Sequence, residues 1–403
     1  MNNKYCRPVS PLEKIYLSKT FQGQHFTNQG IIEGTGSFDV DAWEKSVEVA
    51  SMAHAGSRVV LQRKGLKYFW VEGGNMPTVR LIRDCKWDGA SSNNIPYLPD
   101  HLCPFNGPVC EIILLECQDN KLRVVVNTLH AVMDGIGTLT WGVDVFRATR
   151  GEKPPGSTVA ITDVDIATRF KVSLKDNMRS KCVLPFSKKR TDEQGGIWVR
   201  RIIPRTISGI IPKLSKIVAV ETMSHKEGNV RLMIPVDLRR RMNGVCSTGN
   251  LTGNIFLNVN KTDSEKEVYL RFLEQLRNHD DCYLPFMMKL MKYLPPKMIN
   301  QALLNNDAEN DRKEQCDYSG VVTHLGKLTP EAVSGGGFIG ESWYALNSMT
   351  GPGLPPLFVG ISDFIANGKS NCSLVIGART AYATYDDLHD LSDKIINKLL
   401  NGS

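Results

Sequence analysis

One stretch restricts the fold more than any other: "VCEIILLECQDNKLRVVVNTLHAVMDGIGTLTWGVDVF", Val109 to Phe146. Two β-rich runs flank Asp119–Asn120, a pair suited to a tight turn, so Val109–Thr128 is expected to form a hairpin. After His130 the period changes, and Ile136, Leu139, Val143 and Phe146 recur at helical spacing. A hairpin that feeds a helix through a single histidine calls for mixed secondary structure around one core.

The remaining segments repeat that mixture. Residues 29–38 alternate as a strand, and Asp39 is placed to cap a helix running to about residue 54, with Trp43, Val47 and Ala50 on one face. Arg58 to Gly73 reads as a second hairpin, turned at Lys64–Gly65. A loop rich in Pro, Asn and Asp covers residues 86–108. "GEKPPGST" then breaks regular structure, and residues 151–195 are polar and basic. The expected organisation is an N-terminal lobe over 1–150, a basic crossover over 151–195 and a C-terminal lobe over 196–403. Strands are predicted at 197–204, 229–241, 318–324, 337–348, 357–364 and 372–379. Helices are predicted at 206–218, 264–279, 285–304 and from Asp386 onward. Both halves mix strands with helices, which fits an α+β chain of two related lobes.

Composition excludes several classes of function. The longest apolar stretches are strand-sized, so no transmembrane segment is expected. The first residues lack an apolar core of signal-peptide length, which reads against export. The ten cysteines form no C-x-x-C pair, so they read as free thiols of a cytoplasmic protein, with no metal site. Net charge is +7, densest at Lys188–Arg190 and Arg239–Arg241, without a basic stripe interleaved with aromatics; nucleic acid is not an expected partner. The charge suits a small polyanion, such as the phosphates of coenzyme A, or an acidic carrier protein.

His130 carries the chemistry. A strand end is a stiff mount, and a following helix start offers backbone N–H groups to a developing anion. Histidine alone has an unperturbed pKa near neutrality, so it can take a proton from a hydroxyl or amine and return it. Gly135 permits close backbone approach. Asp134 can lock the loop by pairing with an arginine, or touch the imidazole.

"LHAVMDG" resembles the H-x-x-x-D-G signature of the chloramphenicol-acetyltransferase-like superfamily, which includes condensation domains of nonribosomal peptide synthetases, polyketide-associated acyltransferases and acyl-CoA-dependent alcohol acyltransferases. "SPLEKIYL", "CPFNGPVCEIILLE", "IPVDLRRRM", "GNLTGNIF" and "PPLFVGISDF" resemble other family segments in the same order. The resemblance implies two chloramphenicol-acetyltransferase-like lobes, each a mixed sheet with flanking helices, and an active-site tunnel between them. It implies an acyltransferase: acyl groups would pass from acyl-CoA or an acyl-carrier protein to a hydroxyl or amine of a small metabolite. No covalent intermediate, permanent cofactor or metal is implied; a coenzyme A or phosphopantetheine thioester serves as co-substrate, and the chain would act as a monomer.

Carried over to this sequence, His130 would be the general base and Gly135 would lie beside the thioester carbonyl. Asp134 would hold the loop through a salt bridge to Arg239, and Asp363 would be structural. Asn250, Ser342, Asn347 and Ser348 would face the tunnel. Two departures matter: Leu129 stands where condensation domains carry a second histidine, and "SDFIANG" replaces the plant enzymes' D-F-G-W-G. The alternatives are a stand-alone amide-forming condensation enzyme and a catalytically idle carrier-protein-binding module.

Overall fold

In the computed structural model, which describes residues 4–97, 101–172, 180–186, 195–347, 353–366 and 369–401, both halves of the chain mix strands with helices. The first half runs β1 (Cys6–Pro8), α1 (Pro11–Thr20), β2 (Thr27–Gly36), α2 (Val40–Ala53), β3 (Val59–Lys64), β4 (Lys67–Glu72), β5 (Thr78–Cys85), β6 (Cys110–Cys117), β7 (Leu122–Leu129) and α3 (Gly135–Thr149). A short helix, α4 (Asp163–Ala167), leads to β8 (Gly196–Ile203), α5 (Ile210–His225), β9 (Val230–Asp237), β10 (Thr252–Val259) and α6 (Glu265–Arg277). The chain then continues through α7 (Phe286–Met291), α8 (Pro296–Arg312), β11 (Gly320–Leu328), β12 (Phe338–Asn347), β13 (Leu357–Ala366), β14 (Lys369–Arg379) and α9 (Tyr385–Asn401).

Local chemistry sets the helix starts. Ser10 and Glu13 form a reciprocal capping box on α1, with Pro11 at its first position. The Asp39 carboxylate accepts from Ala42 N at the start of α2, and Ser264 with Glu267 repeats the box on α6. Each such cap contributes about 1 kcal/mol.

The fold is α+β with two sheet-based lobes. The first sheet has the order β12-β2-β7-β6-β5 and the second β10-β9-β11-β13-β14-β8; a small sheet, β1-β4-β3, flanks the first. The near-continuous run on β6 is explained by burial on both faces. Ile112 and Leu114 enter the core under α2 and α3, while Ile113 and Leu115 join a layer that also contains Trp198, Val321, Phe358 and Val375 of the second lobe. Removing each such side chain from water is worth about 1.5–3 kcal/mol.

The strand predicted at 337–348 forms as β12, and it crosses over to pair antiparallel with β2 of the first sheet, Asn347 opposite Asn28 and Trp343 opposite Ile32. Two expectations need correcting. The helix predicted over 285–304 is broken into α7 and α8 by Pro295–Pro296, which removes successive backbone donors. Cys85 and Cys117 are not free thiols; the parallel pairing of β5 with β6 sets them opposite each other, and they form a disulfide with Cα atoms 4.5 Å apart. The other eight cysteines are free. Sequence spacing reports only local pairs, and this one is made by strand register.

Candidate active site

His130 follows the last residue of β7, and its backbone N–H donates to Phe26 O at 2.9 Å, so the sheet pairing continues one residue past the strand. Three side chains from distant parts of the chain then hold the loop to α3. Asn250 Nδ2 donates to the His130 carbonyl at 2.9 Å, Arg7 Nη2 to that of Val132 at 2.9 Å, and Asn28 Nδ2 to that of Met133 at 2.7 Å. Asp134 ends the loop and caps α3, its Oδ1 accepting from Gly137 N at 2.7 Å.

Asp134 is also where the two lobes are joined. Arg239, in the turn after β9, pairs with it bidentately: Nη1 to Oδ2 at 3.0 Å and Nη2 to Oδ1 at 3.1 Å. Leu251 N donates to the same carboxylate at 2.7 Å. Burial alone would raise the Asp134 pKa, but the Arg239 charge and these donors outweigh it and hold the carboxyl below its usual range. The aspartate reaches the arginine and backbone donors, so its oxygens are occupied in fixing the loop. One residue away, Asn250 lies with Nδ2 3.2 Å from His130 Nδ1, and its Oδ1 is buried with no hydrogen-bond partner among the described residues.

The imidazole is walled by aromatic rings. Tyr16 of α1 stacks on it with centroids 4.0 Å apart, and Phe26 lies nearly parallel at 5.5 Å. Lys19, also buried on α1, places Nζ 4.0 Å from the Phe26 centroid. Its pKa is pushed down to about 8 by burial, with Asp307 opposing. Burial likewise pushes His130 down to about 4; a bond to its own backbone carbonyl and Asp134 oppose the shift, and the Lys19 charge adds to it. The ring is therefore neutral at neutral pH. The sense of the contact between Asn250 Nδ2 and His130 Nδ1 is set by the ring tautomer.

The two glycines of "DGIG" differ. A Cβ on Gly135 would meet nothing within 4 Å, so open space adjoins the first residue of α3. A Cβ on Gly137 would collide with the carbonyl oxygen of Thr248 in the second lobe. Gly137 is thus a point of close backbone approach between the helix start and Thr248.

The structure brings His130, Asp134, Gly135, Arg239 and Asn250 into one cluster. Ser342 and Asp363 lie elsewhere. Ser342 was expected in the tunnel, but strand register sets it opposite Glu33, which is opposite Arg123, seven residues and roughly 23 Å along β7 from His130. There its hydroxyl accepts from Arg200 Nη2 at 2.9 Å and donates to Glu33 at 3.1 Å, within an ion network between the lobes. Asp363 faces β11 and β12, bonding His324 Nε2 at 3.1 Å and accepting Trp343 Nε1 at its carbonyl at 2.7 Å. Asn347 lies beside Asn28, in the row of Thr128. Ser348 lies outside the described residues.

Tyr16, Lys19, Arg7 and Asn28 were missed from the sequence. Tyr16 lies in "SPLEKIYL", a segment singled out only as a family-like opening, Lys19 lies two residues beyond it, and nothing in the spacing marks residues facing a histidine more than a hundred positions away.

No family model matches the chain, and no curated protein matches it in sequence. Solved structures do match in fold. The epimerization domain from the third module of tyrocidine synthetase B superposes with a TM-score of 0.62 at 11% identity, covering 99% of this chain and 97% of that one. The starter condensation domain of rhizomide synthetase, as a variant in complex with C8-CoA, gives 0.66 at 13%, covering 98% and 94%. A further variant of that domain, in complex with C8-CoA and Leu-SNAC, gives 0.66 at 12% with the same coverage. The chain thus has the two-lobed fold shared by condensation and epimerization domains, the chloramphenicol-acetyltransferase-like fold.

Proposed function

We propose that the protein is an acyltransferase that moves an acyl group from a thioester, acyl-CoA or an acyl-carrier protein, to a hydroxyl or amine of a small metabolite in the cytoplasm. One observation carries this reading: a neutral imidazole with a fixed ring plane lies at the junction of the lobes, and open space adjoins Gly135 five residues on. The neutral His130 imidazole takes the proton from the acceptor as its oxygen or nitrogen attacks the thioester carbonyl. The oxyanion that forms is stabilised beside the N–H of Gly135, at the positive end of α3. Collapse breaks the C–S bond, and the imidazolium returns the proton to the departing thiolate.

The Asn250 Oδ1 supplies an acceptor in the cluster that can orient the incoming hydroxyl or amine. Asp134 and Arg239 act as positioning residues, because they hold the loop and make no demand on the substrate. The similar fold of a domain captured with C8-CoA supports a thioester donor. Leu129, packed in the first lobe's core where condensation domains have a second histidine, favours acyl transfer over the amide-forming alternative.

The test is His130→Ala with octanoyl-CoA as donor and a panel of alcohols and amines as acceptors, read as thiol release. A folded variant should lose about 10²–10⁴ in kcat, the usual share of general-base help. Undiminished acyl transfer by that variant would overturn the mechanism.

A further inference from the structure

Fourteen large hydrophobic side chains are exposed among the described residues, and five of them fall within thirteen positions: Phe286, Met287, Leu290, Tyr293 and Met298. Phe286 is 72% exposed and Met287 63%. Every side chain of α7 escapes full burial, although the helix reads Phe-Met-Met-Lys-Leu-Met. Phe286, Leu290 and Tyr293 recur at i, i+4 and i+7, so they share one face of the segment. A patch of this kind on a protein surface marks a place of association.

Charge says what kind. Residues 283–306 contain no acidic residue, while Lys289, Lys292 and Lys297 are all exposed there. A twofold contact with a second copy would set these lysines against one another with no carboxylate from the segment between them. The apolar side chains of Phe286, Met287, Leu290 and Tyr293 stand on a short helix and the turn after it and are exposed to solvent. Lysines whose stems lie beside protruding Phe, Met and Leu suit the boundary between headgroups and acyl chains, where the cations remain among anionic headgroups.

We propose that the α7–α8 face docks the protein on an anionic lipid surface. The patch is mechanically linked to the site: Lys14 Nζ donates to the Lys292 carbonyl at 2.9 Å, and α1, which carries Lys14, also carries the Tyr16 that stacks on His130. Docking there brings a bilayer to the outer side of the helix that walls the imidazole.

The experiment is co-sedimentation of the whole chain with vesicles of phosphatidylcholine alone and of phosphatidylcholine mixed with phosphatidylserine, at low and high salt. The protein should sediment with the mixed vesicles, and high salt should release it. Lys289→Glu with Lys292→Glu should weaken partitioning by about fivefold or more per lysine. Phe286→Ser with Met287→Ser and Leu290→Ser should weaken it by about tenfold or more. These positions are exposed, so melting temperatures should hold. Three results would overturn the proposal: no sedimentation of the wild-type chain at low salt, a dimer abolished by the same substitutions without vesicle binding, or saturable binding of an acyl-carrier protein through this face without vesicle binding.

Discussion

His130 is kept neutral mainly by its burial and secondarily by the charge of Lys19, and this has a consequence for pH dependence. A general base works in its unprotonated form, so kcat/KM for thiol release should stay level from neutrality downward and fall only toward about 4, the value to which the imidazole is pushed. Lys19→Met removes a cation that disfavours the imidazolium, so the acid limb should move to higher pH while the fold is retained. A limb that stays in place in that variant would mean the lysine charge does not reach the ring. His130, Asp134 and Gly135 were legible at this scale because they fall within six consecutive positions on one strand-to-helix junction. Arg7 and Asn28 were not: their bonds to the Val132 and Met133 carbonyls cross 125 and 105 positions.

The start of α3 shows how one element serves two neighbours. Asp134 caps the helix and receives Arg239, Gly135 borders open space, and Gly137 abuts Thr248. Gly137→Ala must push the helix start away from the second lobe, and such overpacking costs about 1–3 kcal/mol. Gly135→Ala meets no atom and should leave stability within a few tenths of a kcal/mol, or improve it slightly through helix propensity. Urea unfolding of the two variants separates them; equal losses would contradict the packing described. The sequence shows both glycines in "DGIG" and cannot rank them, because the atom that distinguishes them belongs to residue 248.

For the whole molecule, the lobes share material as well as a surface. Strand β12 is drawn from the second half yet closes the first sheet, and Arg200 of β8 bonds Glu33 of β2 and Ser342 of β12 in a buried network. Breaking such a pair strands a buried charge, which costs about 3–5 kcal/mol. A fragment of residues 1–195 would lack β12 and expose the backbone edge of β2. It should associate or precipitate rather than sediment as a folded monomer. A stable monomeric fragment with native-like circular dichroism would show that the strand exchange is dispensable.

The two hairpins, the helix after His130 and the α+β class were determined by the sequence alone, since hydrophobic period and turn chemistry act over a few residues. The same holds for the Asp39 cap and the alternate faces of β6. Tertiary structure decided the rest. It sent β12 to the other lobe and set Cys85 against Cys117. It drew Ser342 into an ion network far from the imidazole and placed Tyr16 and Lys19 beside His130. Each of these depends on which distant surfaces meet when both faces of a sheet are buried, and strand register rather than sequence spacing sets those meetings.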